Sequence, residues 1–235
     1  MMTIRQAVNW GAEKLRDNNV DNAEYDSFEL LSSINGMTRT FYFINGDNEL
    51  SEKDFSLFKE YIEKRASHKP LQHILGKAYF YGYEFVVNEN VLIPRQDTEI
   101  LVSEVIKVAK DGYDILDMCT GSGCIIISLA ASGHTSENGA VAIDISDDAL
   151  KVADYNKKYN NADYIKLIKS DMFSSSECEQ YKNEDNRFDV IVSNPPYIPT
   201  KDIDELSEEV RLHDPVLALD GDTDGLKFYK AITKQ

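Results

Sequence analysis

The segment of this sequence with the most distinctive chemistry is Asn194-Pro195-Pro196-Tyr197. It follows an apolar run, Val190–Ser193, that has the composition of a buried strand. Each proline ring fixes φ and removes an N–H donor, so the loop is stiff and its carbonyl groups point outward. If the Asn194 side-chain oxygen and the Pro195 carbonyl oxygen each accept one N–H of a planar amine or amide, the nitrogen lone pair faces an electrophile, and Tyr197 can stack on the planar group. The segment predicts group transfer to a planar nitrogen, with a plain proline-rich turn as the alternative.

A second loop, Asp117–Gly123, lies between a predicted strand and a predicted helix. Gly121 and Gly123 let the backbone approach a ligand closely, and the following helix presents free N–H groups at its start. A nicotinamide-type fingerprint needs a third glycine where this chain has Ile126, so a dinucleotide is not expected. Asp117 ends the strand, where its simplest role is to order the turn through backbone N–H groups.

Acidic residues follow the next two predicted strands. Asp144 is placed to accept hydrogen bonds from both hydroxyls of a ribose, whereas a helix-capping role better suits Ser146 or Asp147. In the third loop, Asp171 could accept a hydrogen bond from the exocyclic amine of an adenine while Met172 packs on the ring. A plain turn is the alternative for that third loop.

Alternating strand and helix patterns position these four loops. The strands are predicted at Asp114–Met118, Ala140–Ile145, Ile165–Lys169 and Asp189–Ser193, and two of the helices at Ser122–Ala131 and Asp147–Tyr159. This alternation predicts an α/β domain with a parallel sheet covered on both faces. Because ligands of such sheets bind at the carboxyl ends of the strands, the four loops are expected to meet at one edge.

Residues 1–75 show helical periodicity and predict a small helical bundle. One helix is expected behind a Thr3 cap, a second after Asn22, and a third behind Ser51, which opens a Ser-x-x-Asp cap. No strand pattern interrupts these three helices.

Residues 76–94 are rich in β-branched and aromatic side chains and predict a β-hairpin linker. The sequence Asn88-Glu89-Asn90 is expected to form its turn. Pro94 blocks an early helix start, so the next helix is expected to begin at Asp97 and to run through Ile106.

Composition excludes several classes of protein. The 235 residues include 25 Lys and Arg against 41 Asp and Glu, a net charge of −16, of which −14 falls on residues 81–235. Duplex-binding proteins usually present clusters of Lys and Arg, which this sequence lacks, so no nucleic-acid partner is expected.

The three cysteines and four histidines show no disulfide framework and no metal-ligand spacing. With no stretch near the ~20 apolar residues of a membrane span and no signal-peptide core, the sequence predicts a soluble, cytoplasmic protein without membrane contact.

Several motifs together resemble the release-factor glutamine methyltransferases of the PrmC or HemK type. The matching segments are Gly76 with Phe80-Tyr81-Gly82, Leu92–Glu99, Leu116–Gly123, Ser193–Pro199 and Asp214–Leu226. The match extends from about residue 20 to the end of the sequence. The combination of Pro-Arg-x-x-Thr-Glu with Asn-Pro-Pro-Tyr makes it specific.

The resemblance implies a reaction and an architecture. The reaction is the S-adenosyl-L-methionine-dependent methylation of the side-chain amide nitrogen of the GGQ-motif glutamine in peptide chain release factors, with S-adenosyl-L-homocysteine as product. The architecture is a Rossmann-like methyltransferase domain at 95–235, preceded by a helical substrate-recognition domain at 1–75 and a hairpin linker at 76–94.

The resemblance also implies the site residues. Cofactor binding is assigned to Cys119, Thr120, Gly121, Ser122, Gly123, Asp144, Asp171, Met172 and Asn194. The substrate glutamine is assigned to Asn194, Pro195, Pro196 and Tyr197, of which Asn194, Pro195 and Tyr197 are the catalytic residues, and no metal is implied. Cys119 stands where glycine is common in the family, and Met172 where an aromatic ring often stacks on adenine.

Alternatives remain open at this point. An adenine-N6 methyltransferase of DNA or RNA would use a similar planar amine, although the negative charge favours a protein substrate. A ribosomal-protein glutamine methyltransferase or a cofactor-binding regulator without turnover are further possibilities. Arg95 and Glu99 either close over the cofactor or pair with each other, and the role of Asp214 is open.

The length suggests an incomplete methyltransferase domain. Four sheet strands are recognisable, and the last feature is a helix expected from near Asp224 to Gln235. Because the resemblance implies three further strands, we expect a form truncated at its C-terminus, with the strand Asp189–Ser193 left as an exposed edge. The full-length enzyme is expected to be a monomer.

Overall fold

The computed structural model describes residues 2–110, 112–182 and 187–234. The chain divides into two compact units, Met1–Leu75 and Gly76–Gln235. The described part of the first unit contains the helices α1 (Ile4–Asp17), α2 (Ala23–Asn35), α3 (Arg39–Asn45), α4 (Glu52–Ala66) and α5 (Leu71–Leu75). Helices α1, α2 and α4 were predicted. Helices α3 and α5 were missed because two turns or fewer leave too little periodicity to detect.

The three predicted helices of the first unit begin where the sequence predicts them. The Thr3 hydroxyl accepts from the Gln6 N–H, and the Gln6 side chain accepts from the Thr3 N–H, which makes a reciprocal capping box. The Ser51 hydroxyl accepts from the Asp54 N–H at 3.0 Å. Asn22 makes no side-chain cap bond, because it adopts a left-handed conformation with φ of 56°.

A buried ion pair joins α2 to α4 inside this unit. The Arg65 Nε and the Asp26 Oδ2 are 2.7 Å apart, and both side chains are 6% exposed. Removing one partner of such a pair leaves a buried charge uncompensated, which typically costs about 3–5 kcal/mol. The surrounding core contains fully buried Phe58, Leu30 and Ile62.

The second unit opens with a hairpin whose turn lies elsewhere than predicted. Strands β1 (Lys77–Phe80) and β2 (Tyr83–Val86) are antiparallel, and the turn consists of Tyr81 and Gly82, both with positive φ. Asn88-Glu89-Asn90 do form a turn, closed by the Val91 N–H donating to the Asn88 carbonyl at 3.2 Å, but the expectation that it joins the two strands was wrong, because it follows the hairpin. A two-residue loop with positive φ at both positions matches the twist of paired strands, and this geometry prevailed over the turn-forming composition downstream.

A four-stranded parallel sheet forms the centre of the second unit. Its strands are β3 (Ile115–Met118), β4 (Ala140–Asp144), β5 (Lys166–Lys169) and β6 (Val190–Ser193), in the spatial order β5-β4-β3-β6. All four predicted strands are confirmed, with Asp114, Ile145, Ile165 and Asp189 just outside them. In the described sheet, β6 pairs with β3 alone and is an edge strand.

Helices cover both faces of this sheet, as the alternation predicted. Helices α6 (Gln96–Val108) and α7 (Cys124–Ala131) pack against one face, together with Phe80 and Phe85 of the hairpin. The other face packs against Met172, Phe173 and the helix α10 (Lys227–Ile232).

The remaining helices are α8 (Asp147–Tyr159), which matches its prediction, and the short α9 (Glu208–His213). Helix α7 begins two residues later than expected because Gly123 caps it in a left-handed conformation. Helix α6 exceeds its prediction by one residue at the start and two at the end. The helix expected from Asp224 is confined to α10, and Gln235 lies outside the described residues.

Candidate active site

The carboxyl ends of all four parallel strands open into one cavity of about 290 Å³. Its walls include nine of the predicted site residues: Cys119, Thr120, Gly121, Ser122, Asp144, Asp171, Met172, Asn194 and Pro196. A second cavity of about 450 Å³ lies beside it and includes Tyr197 in its wall. Gly123 and Pro195 line neither cavity.

In the glycine loop, which follows β3, every second residue has a left-handed backbone conformation. Cys119, Gly121 and Gly123 have φ values of 59°, 55° and 80°. The φ of Gly123 favours glycine there, and a Cβ would approach the Ile127 Cδ1 to 2.7 Å, so that side chain would have to shift. Cys119 adopts a conformation that favours glycine, which accounts physically for the glycine that is common at this position in the family.

The thiol of Cys119 is not set up as a nucleophile. Burial and the carboxylates of Asp144 and Asp117 raise the pKa of Cys119 to about 12. A protonated thiol neither attacks an electrophile nor binds a metal well. In residues 2–110, 112–182 and 187–234, no group of three or more His, Cys, Asp or Glu side chains is arranged for a metal ion.

Asp144 joins the first and second loops. Its Oδ2 accepts from the Gly121 N–H at 2.8 Å, and its Oδ1 accepts from the Ser146 N–H at 2.9 Å. Burial raises the pKa of Asp144, and these two N–H donors oppose that rise. The cap of α8 is Ser146, whose hydroxyl accepts from the Ala149 N–H, so the carboxylate of Asp144 is left to face the cavity. Each carboxylate oxygen retains acceptor capacity, so binding of a diol is chemically available.

Asp117 lies behind the glycine loop and is completely buried. Its Oδ2 accepts from the Thr120 hydroxyl at 2.7 Å, and its Oδ1 has no hydrogen-bond partner. It orders the turn through the Thr120 hydroxyl. Burial raises the pKa of Asp117 to about 7, with a smaller rise from the charge of Asp144, and the backbone N–H of Ile126 opposes this rise.

In the third loop the two predicted side chains are placed differently. Met172 is buried and has a left-handed φ of 53°, and it packs with the core on one face of the sheet. Asp171 is exposed at the rim of the cavity. The assignment of these residues to an adenine ring stays a prediction.

The fourth loop is held from two sides. The Ser193 hydroxyl donates to the Met118 carbonyl at 2.7 Å, which ties the end of β6 to β3. Ile198 exchanges backbone hydrogen bonds with Leu219 and Gly221. A Cβ at Gly225 would approach the Tyr197 carbonyl oxygen to 2.3 Å, so the later segment passes directly against the loop.

Within this loop the side chains differ in exposure. Pro195 and Pro196 are buried, whereas Tyr197 is 56% exposed. The Asn194 side-chain nitrogen donates to the Thr98 hydroxyl at 3.3 Å. The amide oxygen of Asn194 is therefore turned away from Thr98.

Arg95 and Glu99 do not pair with each other. The Arg95 Nη2 lies 2.6 Å from the Asp214 Oδ2, and the Glu99 Oε1 accepts from the Tyr81 N–H at 2.7 Å. Arg95 also lines both cavities. The role of Asp214 thus becomes concrete: its side chain is 1% exposed and anchors Arg95.

Two groups of cavity residues were missed by the sequence predictions. The segment Glu89–Pro94, expected to belong to the hairpin linker, forms one wall, and Lys227 and Phe228 of α10 form another. The side chain of Asn156, also missed, is fully buried and bonds to the backbone of Val86 and to the Ser122 carbonyl. Arg95, which directly follows the first segment and which the sequence offered as a candidate to close over the cofactor, also lines this cavity.

Comparisons with known proteins decide the family. The model of the PrmC N-terminal domain matches residues 6–76, and that of the methyltransferase small domain matches residues 95–211. A release factor glutamine methyltransferase of Geobacter sulfurreducens is 38% identical over 230 residues, covering 98% of this chain and 78% of that protein. The chain belongs to the release factor glutamine methyltransferase family. The Bacillus subtilis enzyme of that name is 36% identical, with the same coverage of both chains.

The family resemblance and the Rossmann-like fold are thereby confirmed. As a methyltransferase of this family, the protein uses S-adenosyl-L-methionine as its methyl donor. Among solved structures, the tRNA (uracil-54, C5)-methyltransferase of Pyrococcus abyssi has a TM-score of 0.43 at 18% identity, covering 67% of this chain and 36% of that one. In the described part of the methyltransferase, no helix is long and apolar enough to span a membrane.

Proposed function

We propose that this protein methylates the side-chain amide nitrogen of a glutamine in peptide chain release factors. The observation that supports this most directly is the position of Asn194. Its side chain lines both cavities at the end of β6, and its nitrogen is engaged by Thr98 while its oxygen is turned away. An amide substrate needs an acceptor there, and the oxygen supplies one.

The residues of the first cavity fit S-adenosyl-L-methionine. Asp144 offers buried carboxylate oxygens for a ribose, beside the close-approach backbone of Gly121. Met172 offers an apolar surface for the adenine, and Asp171 lies at the rim. When bound, this cofactor supplies a methyl group activated by a sulfonium charge.

The chain's own contribution to the reaction is orientation. In the proposed complex, the Asn194 oxygen and the Pro195 carbonyl oxygen accept the two N–H groups of the glutamine amide. These bonds fix the amide plane, and Tyr197 stacks on it from the exposed side. The same acceptors stabilise the positive charge that develops on the nitrogen, and the surplus N–H proton of this strongly acidic cation passes to water, so no strong base is needed.

The substrate is a protein rather than a nucleic acid in this proposal. The −14 charge of residues 81–235 opposes binding of phosphates and suits a basic loop. The unit Met1–Leu75 is assigned to recognition of the release factor, and residues 76–94 to a linker. The full-length enzyme is proposed to act as a monomer in the cytoplasm, where release factors act, without a membrane partner.

Tritiated methyl transfer tests the assignment. Purified release factor, ribosomal proteins and an adenine-containing oligonucleotide are offered separately, and the release factor is expected to be labelled. Asn194→Ala is expected to lower the rate by more than about tenfold because the amide loses an acceptor. Its melting temperature should match the unmodified chain.

Tyr197 provides a matched pair of variants. Tyr197→Phe keeps the ring and is expected to retain activity, whereas Tyr197→Ala loses the stacking surface and should be slower by about 2- to 10-fold. Near-normal turnover in Asn194→Ala, or labelling of the oligonucleotide alone, would overturn the proposed function. Labelling of a ribosomal protein in preference to the release factor would move the substrate assignment to that protein.

A further inference from the structure

Thr98 is the third residue of α6 and the side chain that contacts the amide of Asn194. Its hydroxyl oxygen lies 3.3 Å from the Asn194 Nδ2 and is separated from it by 96 positions in sequence. Thr98 is 9% exposed and, like Asn194, lines both cavities. Its side chain therefore stands at the boundary between the proposed cofactor and substrate spaces.

An asparagine amide needs such a neighbour if it is to act only as an acceptor. Its oxygen and its NH₂ group have nearly the same shape, so a rotation of 180° exchanges an acceptor for a donor. A donor facing the substrate amide would repel its N–H groups. In the structure the contact with Thr98 engages one N–H of the NH₂ group, which leaves the oxygen available to accept from the substrate.

The first turn of α6 is itself held in place. The Thr98 N–H donates to the Arg95 carbonyl at 3.0 Å. On either side, the Arg95 side chain pairs with Asp214, and the Glu99 carboxylate accepts from the Tyr81 N–H. The hydroxyl of Thr98 is thus presented from a closed helical turn with two separate tertiary anchors, which is what a positioning group requires.

We propose that Thr98 is a positioning residue for methyl transfer, which holds the Asn194 amide with its oxygen toward the planar nitrogen of the substrate. The proposal rests on the proposed function for the identity of the substrate. It adds a residue that acts through Asn194 and has no contact with the reacting atoms.

The first experiment compares three variants of the full chain in release-factor methylation. Thr98→Val keeps the shape and removes the hydroxyl, Thr98→Ser restores the hydroxyl, and Ser103→Ala removes a hydroxyl from the same helix outside both cavities. Thr98→Val is expected to lower kcat about fivefold or more, as loss of one orienting hydrogen bond allows. The KM for the release factor and the affinity for S-adenosyl-L-homocysteine should each change less than about twofold. In this proposal, neither the release factor nor the cofactor product bonds to the Thr98 hydroxyl.

The control variants distinguish positioning from a structural role. Thr98→Ser is expected to recover activity, and Ser103→Ala is expected to match the unmodified enzyme. In an Asn194→Ala background, Thr98→Val should have no further effect, since the residue it orients is gone. An unchanged kcat in Thr98→Val, or an equal loss in both backgrounds, would overturn the proposal while leaving the proposed function intact.

A second measurement does not depend on activity. The side-chain NH₂ signals of Asn194 are assigned in a ¹⁵N spectrum by their absence in Asn194→Ala. Thr98→Val is expected to shift these signals and to lower the order parameter of the group, whereas Thr98→Ser and Ser103→Ala preserve both. Signals that are identical in Thr98→Val would refute the contact itself. If the unmodified chain methylates no release factor, the proposed function fails, and this spectrum still decides the role of Thr98.

Discussion

Asp117 is a carboxyl group buried directly behind the loop that carries the proposed cofactor site. Its exposure is 0%, one oxygen has no partner, and its pKa is raised to about 7. In the unfolded chain the same group has a pKa near 3.9. Between these two values the folded state binds more protons than the unfolded state, so the contribution of Asp117 to stability is complete below about pH 4 and is lost as the pH rises through about 7.

The change Asp117→Asn removes this titration and keeps the shape of the side chain. We expect the free energy of unfolding of the unmodified chain to fall, relative to Asp117→Asn, by about 2–3 kcal/mol between pH 5 and pH 8. Urea unfolding of both proteins at several pH values measures the difference, in which the other titrating groups cancel. Parallel pH profiles would contradict the raised pKa of Asp117.

At the same scale, the sequence could predict which residues meet but not how each is used. Asp144 was correctly placed at a strand end, because a parallel sheet brings such ends together. Its bond to the Gly121 N–H and the pairing of Arg95 with Asp214 depend on tertiary contacts between distant segments. No periodicity in the sequence reports such contacts, so the roles of Thr98 and Asp214 emerge only from the structure.

Among the elements, the hairpin shows most clearly where composition misleads. Its turn is the pair Tyr81 and Gly82, with φ values of 51° and 82°. A side chain at Gly82 would meet nothing within 4 Å, so only the backbone conformation demands glycine there. The predicted turn at residues 88–90 contains stronger turn formers, but those residues follow the paired strands and enter the wall of the cavity.

Substitution of Gly82 tests this turn. Gly82→Ala is expected to destabilise the chain by about 1 kcal/mol, because a Cβ disfavours positive φ. Gly82→Asn should lose less, since asparagine tolerates the left-handed region better than alanine does. Chemical unfolding gives both values, and an equal loss in the two variants would point to a steric cause instead of a conformational one.

The regular elements around the hairpin were predictable for the opposite reason. Helix α8 combines a serine cap with an apolar face, and strands β3 and β4 are buried at every position. In such long or fully buried segments, local propensity and tertiary packing favour the same structure. Helix α3 has no buried residue, so its sequence lacks the apolar periodicity by which a helix is predicted.

For the molecule as a whole, the distribution of charge should govern the encounter with substrate. The net charge is −16, and the stretch from Lys201 to Gly225 contains nine acids against two basic residues. This stretch passes against the loop that contains Tyr197. A field of one sign at a site accelerates association with an oppositely charged partner, and the effect falls as salt is added.

A pair of double variants separates this steering from net charge alone. The first pair, Asp204→Asn with Glu205→Gln, neutralises exposed acids just after the Tyr197 loop. The second pair, Glu137→Gln with Asp163→Asn, makes the same change in charge before the amino ends of β4 and β5, away from the carboxyl ends that form the site. The first pair is expected to lower kcat/KM for the release factor about two- to threefold at low salt and to have no effect at high salt. The second pair should have a smaller effect, and duplex DNA should neither bind nor compete at about 0.15 M salt. Equal effects of the two pairs would mean that total charge, and not its position beside the proposed substrate loop, controls association.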